Sequence, residues 1–255
     1  MIFALIKIRF LETLAYRAES FLWMVTLTMP LVMLVLWRSV AEDGTFHGYT
    51  PEDFNIYYLA VLVATLLTGC NSVWEVSEDI RTGGLSFWLM RPMHPFTHYV
   101  AVTFAELGLR LLVALPILAI TLAMSLGSSS SNLIRLALLV PAFLNGLLIN
   151  QAIHLLTGSL SFWMERSLVV HKLYVTACAV LSGYMFPLSF LPGWAEHVAL
   201  LLPFRFIIAL PVEILMEKVA APVEMVIWQT ALAVALLSVA GFVWRRGVNR
   251  YSAFG

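Results

Sequence analysis

With 61% hydrophobic and only 12% charged side chains over 255 residues, and a mean hydropathy of +0.89, the chain lacks the polar surface a soluble domain needs; ordinary soluble domains carry roughly 25% charged residues. Its 15 basic and 15 acidic residues cancel, so there is no basic excess for neutralising phosphates and no nucleic-acid partner is expected. Lipid must be the solvent for much of the surface, which makes this an integral membrane protein.

Residues 1–20 read as an amphipathic helix, with Phe3, Ile6, Phe10 and Leu14 at helical spacing and charges between them. It either lies in the membrane interface or forms an ordinary cytosolic start to the first span. Lys7, Arg9, Glu12, Arg17 and Glu19 interrupt the apolar sequence, which no cleavable signal core tolerates. Six apolar segments follow, at 21–40, 55–74, 98–126, 133–156, 168–190 and 224–244. Each is near the ~20 residues a helix needs to cross ~30 Å of hydrocarbon. Pro30, Pro116 and Pro141 fall inside them, where kinks are expected.

The cations orient these spans. With the N-terminus in the cytoplasm, ten of the 15 Lys and Arg residues fall inside, four outside, and Arg110 within a span. That bias follows the positive-inside rule and puts both termini in the cytoplasm. The outer connection at 127–132, G-S-S-S-S-N, is short enough to be only a tight turn, and no domain boundary is visible, so residues 1–255 are taken as one membrane domain. Residues 186–212 are different. Pro187, Pro192, Pro203 and Pro211 exclude one continuous helix, yet Phe186, Trp194 and Phe204 make the stretch too apolar for a free loop. A pair of short helices dipping back into the outer leaflet satisfies both constraints, with Arg205 between them and Trp194 and Phe204 as interface anchors.

Between the second and third spans, residues 75–97 form the one long charged, Gly-punctuated segment. Glu75, Glu78 and Asp79 suit the start of a helix. Ile80 and Arg81 follow, and Gly83-Gly84 gives a turn. Then comes a short amphipathic piece in which Leu85, Trp88 and Leu89 share a face, stopped by Arg91-Pro92. Such a helix, carrying Phe87 and Met90 as well, has no core of its own. It lies along the headgroups or plugs a groove in a partner.

Chemistry of its own is not expected. None of the three lysines follows a glycine, so there is no phosphate-binding loop, and the six histidines show no metal-ligand spacing. Cys70 and Cys178 read as small buried hydrophobes. There is no G-x-S-x-G, and Ser159 and His154 point to different sides of one helix. Glu106 and Arg110 form an i,i+4 pair in the third span. They either line or gate a pathway or hold that span against its neighbours. In the fourth span Asn150 and His154 share a face suited to interhelical hydrogen bonds.

Taken together, residues 1–20, the E-D-I-R-T-G-G-L-S-F-W-L-M-R-P run at 78–92, G-Y-M-F-P-L-S-F-L-P-G-W at 183–194 with L-P-F-R at 202–205, and the R-R-G-V-N-R-Y-S-A-F-G ending resemble the ABC type 2 (ABC-2) exporter permeases without a fused ATPase. The resemblance implies an all-α polytopic fold with six transmembrane helices. To these it adds an N-terminal amphipathic helix, a cytoplasmic coupling helix and an outer re-entrant helical hairpin before the last span. It implies a non-catalytic permease of the bacterial inner membrane that binds no cofactor itself. Two permeases, identical or similar, would enclose the pathway for a substrate that the residues do not name. Separate ATPase subunits, carrying ATP and Mg, would dock on residues 78–92. A secondary transporter or channel is the alternative, and an intramembrane enzyme the third reading.

Overall fold

Over residues 28–42, 44–92, 94–126 and 133–251, which the computed structural model describes, the backbone is helical; these residues form no strand, only an isolated bridge between Phe46 and Tyr49. The expected amphipathic helix at 1–20, the beginning of the first span and the serine turn lie outside the described residues. In chain order the helices are α1 (Thr28–Val40), α2 (Pro51–Thr68), α3 (Ser72–Thr82), α4 (Leu85–Leu89), α5 (Pro95–Leu126), α6 (Leu133–Ser159), α7 (Ser167–Leu181), α8 (Gly193–Leu201), α9 (Ala209–Leu215) and α10 (Pro222–Arg250), with 3-10 turns at Leu160–Phe162 and Leu188–Phe190.

Among the described residues four stretches are helices long and apolar enough to cross a membrane: α2 with α3, α5, α6 and α10. Of the other two expected spans, α1 is helical over Thr28–Val40, the part of it that lies among the described residues, and α7 is a shorter apolar helix of 15 residues. α7 stops at Leu181, well before the expected Phe190, because Gly183 turns the backbone with φ +83° and Pro187 follows. Both α5 and α6 continue through their prolines, Pro116 and Pro141.

α2 is the central element. It opens on Thr50-Pro51-Glu52-Asp53, where the Thr50 hydroxyl accepts from the Asp53 amide at 3.1 Å and the Asp53 carboxylate accepts from the Thr50 amide at 2.9 Å. This is a capping box with proline at the first helical position. Its apolar residues face every direction, which suits a helix enclosed by others; it packs against α1, α5, α6 and α9, and Phe54, Tyr58, Val61 and Ala64 are fully buried. α6 runs along α10 and reaches α2, α3, α7 and α9.

The core is segregated by end. A large cluster built on α2, α6 and α9 fills the end that carries residues 183–215. A smaller one, Val76, Ile80, Leu85, Tyr99, Leu155, Ala240 and Trp244, fills the end that carries α3 and α4.

Candidate functional site

The segment at 75–92 is a helix, a turn and a shorter helix. α3 begins at Ser72, so Glu75 lies in its first turn while Glu78 and Asp79 sit further along. It ends at Gly83, whose φ of +84° is the left-handed cap that glycine supplies without strain. Gly84 then caps α4, and space is tight there, since a Cβ on Gly84 would lie 3.0 Å from the Asp79 carboxylate.

α4 is anchored, contrary to the expectation that it has no core. Leu85 is fully buried against Val76, Ile80, Tyr99 and Trp244. Trp88 stacks on His98 at 3.7 Å, and the Ser86 hydroxyl lies 3.2 Å from the Tyr251 hydroxyl at the end of α10. The expected shared face of Leu85, Trp88 and Leu89 is therefore split. Leu85 and Trp88 turn inward, whereas Leu89 joins Phe87 and Met90 on the exposed side, with Met90 at 79% exposure. The Arg91 guanidinium lies over the rings of Phe87 and Trp88, at 4.2 and 4.7 Å. Glu78, Arg81 and Pro92 are exposed around this patch. Asp79 is turned inward, accepting from the Tyr99 hydroxyl at 2.6 Å, so reversing its charge would test the fold rather than a docking surface.

Further along the same helix pair lies a polar joint. Residues 69–71 interrupt the stretch expected to be one continuous second span, and the carbonyls this frees are capped from other helices. Asn150 on α6 donates to the Thr68 carbonyl at 2.8 Å and accepts from the Tyr174 hydroxyl on α7 at 2.6 Å. Arg110 on α5 donates to the Gly69 carbonyl and, at 2.7 Å, to Glu106. A Cβ on residue 69 would lie 2.7 Å from the Arg110 guanidinium and 2.9 Å from the Thr65 carbonyl, so a side chain there would crowd both. The Gln151 side-chain oxygen accepts from Cys70 (2.6 Å), Thr103 (2.8 Å) and Ser72 (3.2 Å), so Cys70 is a hydrogen-bonding member of the joint as well as a buried thiol. One turn on, the His154 ring meets His171 of α7 edge-on, with centroids 4.5 Å apart. No group of three or more metal-binding side chains occurs among the described residues.

At the far end, the expected pair of short helices is present as α8 and α9, introduced by Pro192 and by the turn from Pro203 to Ile208. The chain reaches them through a pinned turn. Tyr57 donates to the Gly183 carbonyl at 2.6 Å, and both Tyr58 and Trp37 donate to that of Met185, at 2.8 and 3.2 Å. Half-buried Phe186 and buried Pro187 follow, and the Phe190 ring packs among Trp37, Phe46, Tyr49 and Phe54. Arg205 pairs with Glu213 at 2.8 Å; burial pushes the Glu213 carboxyl above the usual range, against the pull of that guanidinium. Trp194 is 75% exposed, while Phe204 lies against Tyr174 with centroids 5.8 Å apart.

A family model described as ABC-2 family transporter protein matches residues 22–255. The chain belongs to the ABC-2 transporter family. No curated protein matches it.

For an ABC-2 membrane component, the arrangement has one apolar patch at the α4 end, a capped helix break partway along, and a pinned pair of short helices at the other end. Sequence reasoning expected helical pieces at the first and third places, with Leu85, Trp88 and Leu89 on one face where the structure splits them, and left the role of Glu106 and Arg110 open. It missed the break itself and the His154–His171 contact, whose partners sit on separate helices with no periodicity to link them. The available signal was Gly69 and Asn71 within a run otherwise read as a span.

Removing Asn150 tests the joint. In Asn150→Leu the Thr68 carbonyl and the Tyr174 hydroxyl both lose a partner. Single interhelical hydrogen bonds in membranes average ~0.6 kcal/mol, and a buried orphaned group costs about 1–3 kcal/mol. A loss of about 1–2 kcal/mol in this ABC-2 protein is therefore expected in a denaturant titration in detergent, with Asn150→Asp recovering less than half.

Proposed function

We propose that the chain is the non-catalytic permease subunit of an ATP-driven exporter in a bacterial inner membrane. Two such subunits, identical or paired with a similar chain, enclose the pathway. Separate ATPase subunits, which hold the ATP and Mg, dock on residues 78–92. The observation that carries this reading is the patch of Phe87, Leu89 and Met90, exposed on a short helix whose other side is fixed into the core through Leu85. A headgroup-lying helix needs no such fixed seat, whereas a surface through which a motor pushes must not give way. Membership of the ABC-2 family supports it, and the excess of cations in the segments taken as inside, including Arg81 and Arg91, supports a cytoplasmic α4.

A secondary transporter would need intramembrane charges available for an ion, and the Arg110–Glu106 pair is engaged instead with a backbone carbonyl. The test is a Phe87→Ser/Leu89→Ser/Met90→Ser variant, which leaves Leu85 and Trp88 in place. Buried apolar anchors carry most of an interface's energy, at 2 kcal/mol or more each. Retention of the ATPase on the purified permease is therefore expected to fall by more than tenfold, with the unfolding midpoint unchanged. Undiminished assembly with this variant would sink the docking reading.

A further inference from the structure

α3, α4 and α5 close a triangle. From Gly69 the chain descends along α3 to α4, then turns at Pro95 and climbs back along α5 to Arg110. Each long side is roughly fifteen residues, or ~20 Å of helix at 1.5 Å per residue. α4 forms the base. At the apex the guanidinium of Arg110 holds the Gly69 carbonyl and the Glu106 carboxylate together, and Asn71 beside it accepts from the same guanidinium in its hydrogen-bond-satisfying orientation. The apex coincides with the break between α2 and α3. α5 and α6 run along both halves; above the apex α2 packs in addition with α1 and α9, and below it α3 packs in addition with α4, α7 and the 160–162 turn. The additional neighbours change where the backbone has no helical hydrogen bonds to resist bending.

Building on the permease reading above, we propose that Arg110 is the positioning residue that pins this apex, so that α3, α4 and the lower half of α5 move as one lever and bend the chain at residues 69–71. Two independent features of the site fit a pin. Position 69 is a glycine where a Cβ would lie 2.7 Å from the guanidinium as well as 2.9 Å from the Thr65 carbonyl, so its missing side chain leaves the guanidinium room against the backbone. The neighbouring free carbonyl, that of Thr68, is held by Asn150 of α6, whose Gln151 also accepts from Cys70 and Ser72, so α6 grips both sides of the break while Arg110 grips the freed backbone from α5. Arg is suited to the role because its planar fork grips two acceptors at once, which a lysine ammonium on a flexible stem does not. A charge-assisted bond is roughly twice as strong as a neutral one, which suits it to keeping the apex closed while the joint flexes.

The experiment uses the full permease assembled with its ATPase in lipid nanodiscs. Spin labels are placed at positions 52 and 82 of one protomer, both exposed and at opposite ends of the α2–α3 pair. In the unaltered protein the label separation is expected to shift by a few ångströms between the nucleotide-free and the ATP–vanadate states, as helix movements at switching interfaces do. In Arg110→Gln the ATPase stays bound and hydrolyses ATP, but the shift is lost and the nucleotide-free distribution broadens. Arg110→Lys recovers part of the shift. If Arg110→Gln is not recovered from the membrane, Gly69→Ala takes its place, since its methyl group would lie 2.7 Å from the guanidinium, and 2.9 Å from the Thr65 carbonyl, and crowds the pin without removing the charge. An undiminished shift in whichever variant is recovered overturns the pin, as does an unaltered transporter that hydrolyses ATP with no shift. An unaltered chain that retains no ATPase in the initial co-purification overturns the permease reading, and the pin falls with it; the two failures are read at different steps.

Discussion

Trp244→Ala is expected to lower stability by about 3–5 kcal/mol, the usual cost of truncating a fully buried tryptophan, and to release α4 from the body of the protein. Trp244 is 1% exposed and sits among Phe162, Tyr99 and Phe96, with centroids at 5.6, 5.7 and 6.2 Å. The same cluster holds Val76, Ile80 and Leu85, so the cavity would open beneath the seat of α4. Its indole N–H has no hydrogen-bond partner among the described residues, so the loss is one of packing alone. That sets the control. Trp244→Phe keeps most of the volume and gives up no hydrogen bond, so it should cost under about 1.5 kcal/mol. Unfolding in detergent reads the stability, and ATPase retention measured on the same samples reads the seat of α4. If both variants lose stability equally, the indole N–H matters and the packing account is wrong.

That cluster also marks where the sequence ceased to be readable. Long apolar runs announce helices because lipid demands them, and the stretches at 98–126, 133–156 and 224–244 all fall within observed helices, α5, α6 and α10. Gly83-Gly84 and the prolines at 187, 192 and 203 act within a few residues, so the turns they impose follow from composition. α4 is another matter. Five residues span little more than one helical turn, and periodicity over one turn cannot separate Leu85, which faces Trp244 some 160 positions away, from Leu89, which faces out.

The joint failed for a related reason. Thr68-Gly69-Cys70-Asn71 lies in a run whose length alone satisfies a membrane span, and length dominated the reading. What breaks the helix there is supplied from elsewhere: Arg110 and Asn150 offer the carbonyls better partners than the next turn would. The same tertiary fact reinterprets the Glu106–Arg110 pair. Its spacing suggested a locally neutralised couple, whereas its guanidinium also reaches across to another helix.

Gly183→Val is the second large effect, expected at about 3–6 kcal/mol. Three costs add because they fall on different degrees of freedom. Gly183 has φ +83°, a conformation that costs a residue with a Cβ about 1–2 kcal/mol. A Cβ would lie 3.0 Å from both the Tyr57 hydroxyl and the Ala209 Cβ, and branching at that Cβ forces the neighbours apart, for about 1–3 kcal/mol of overpacking. Displacing Tyr57 then breaks its 2.6 Å bond to the Gly183 carbonyl, worth about 1 kcal/mol. Tyr57→Phe isolates the last cost and should reach no more than about 1–3 kcal/mol, since it leaves one buried carbonyl unpaired. Beyond stability, the valine variant should unpin residues 183–190 from α2, because that turn is fastened through backbone carbonyls rather than side chains. Proteolysis of the 186–212 segment in intact vesicles is then expected to quicken in Gly183→Val and to stay slow in Tyr57→Phe, where Tyr58 and Trp37 still grip the Met185 carbonyl. Equal cleavage in both would show that the tyrosine hydroxyl, and not the space around Gly183, holds the turn.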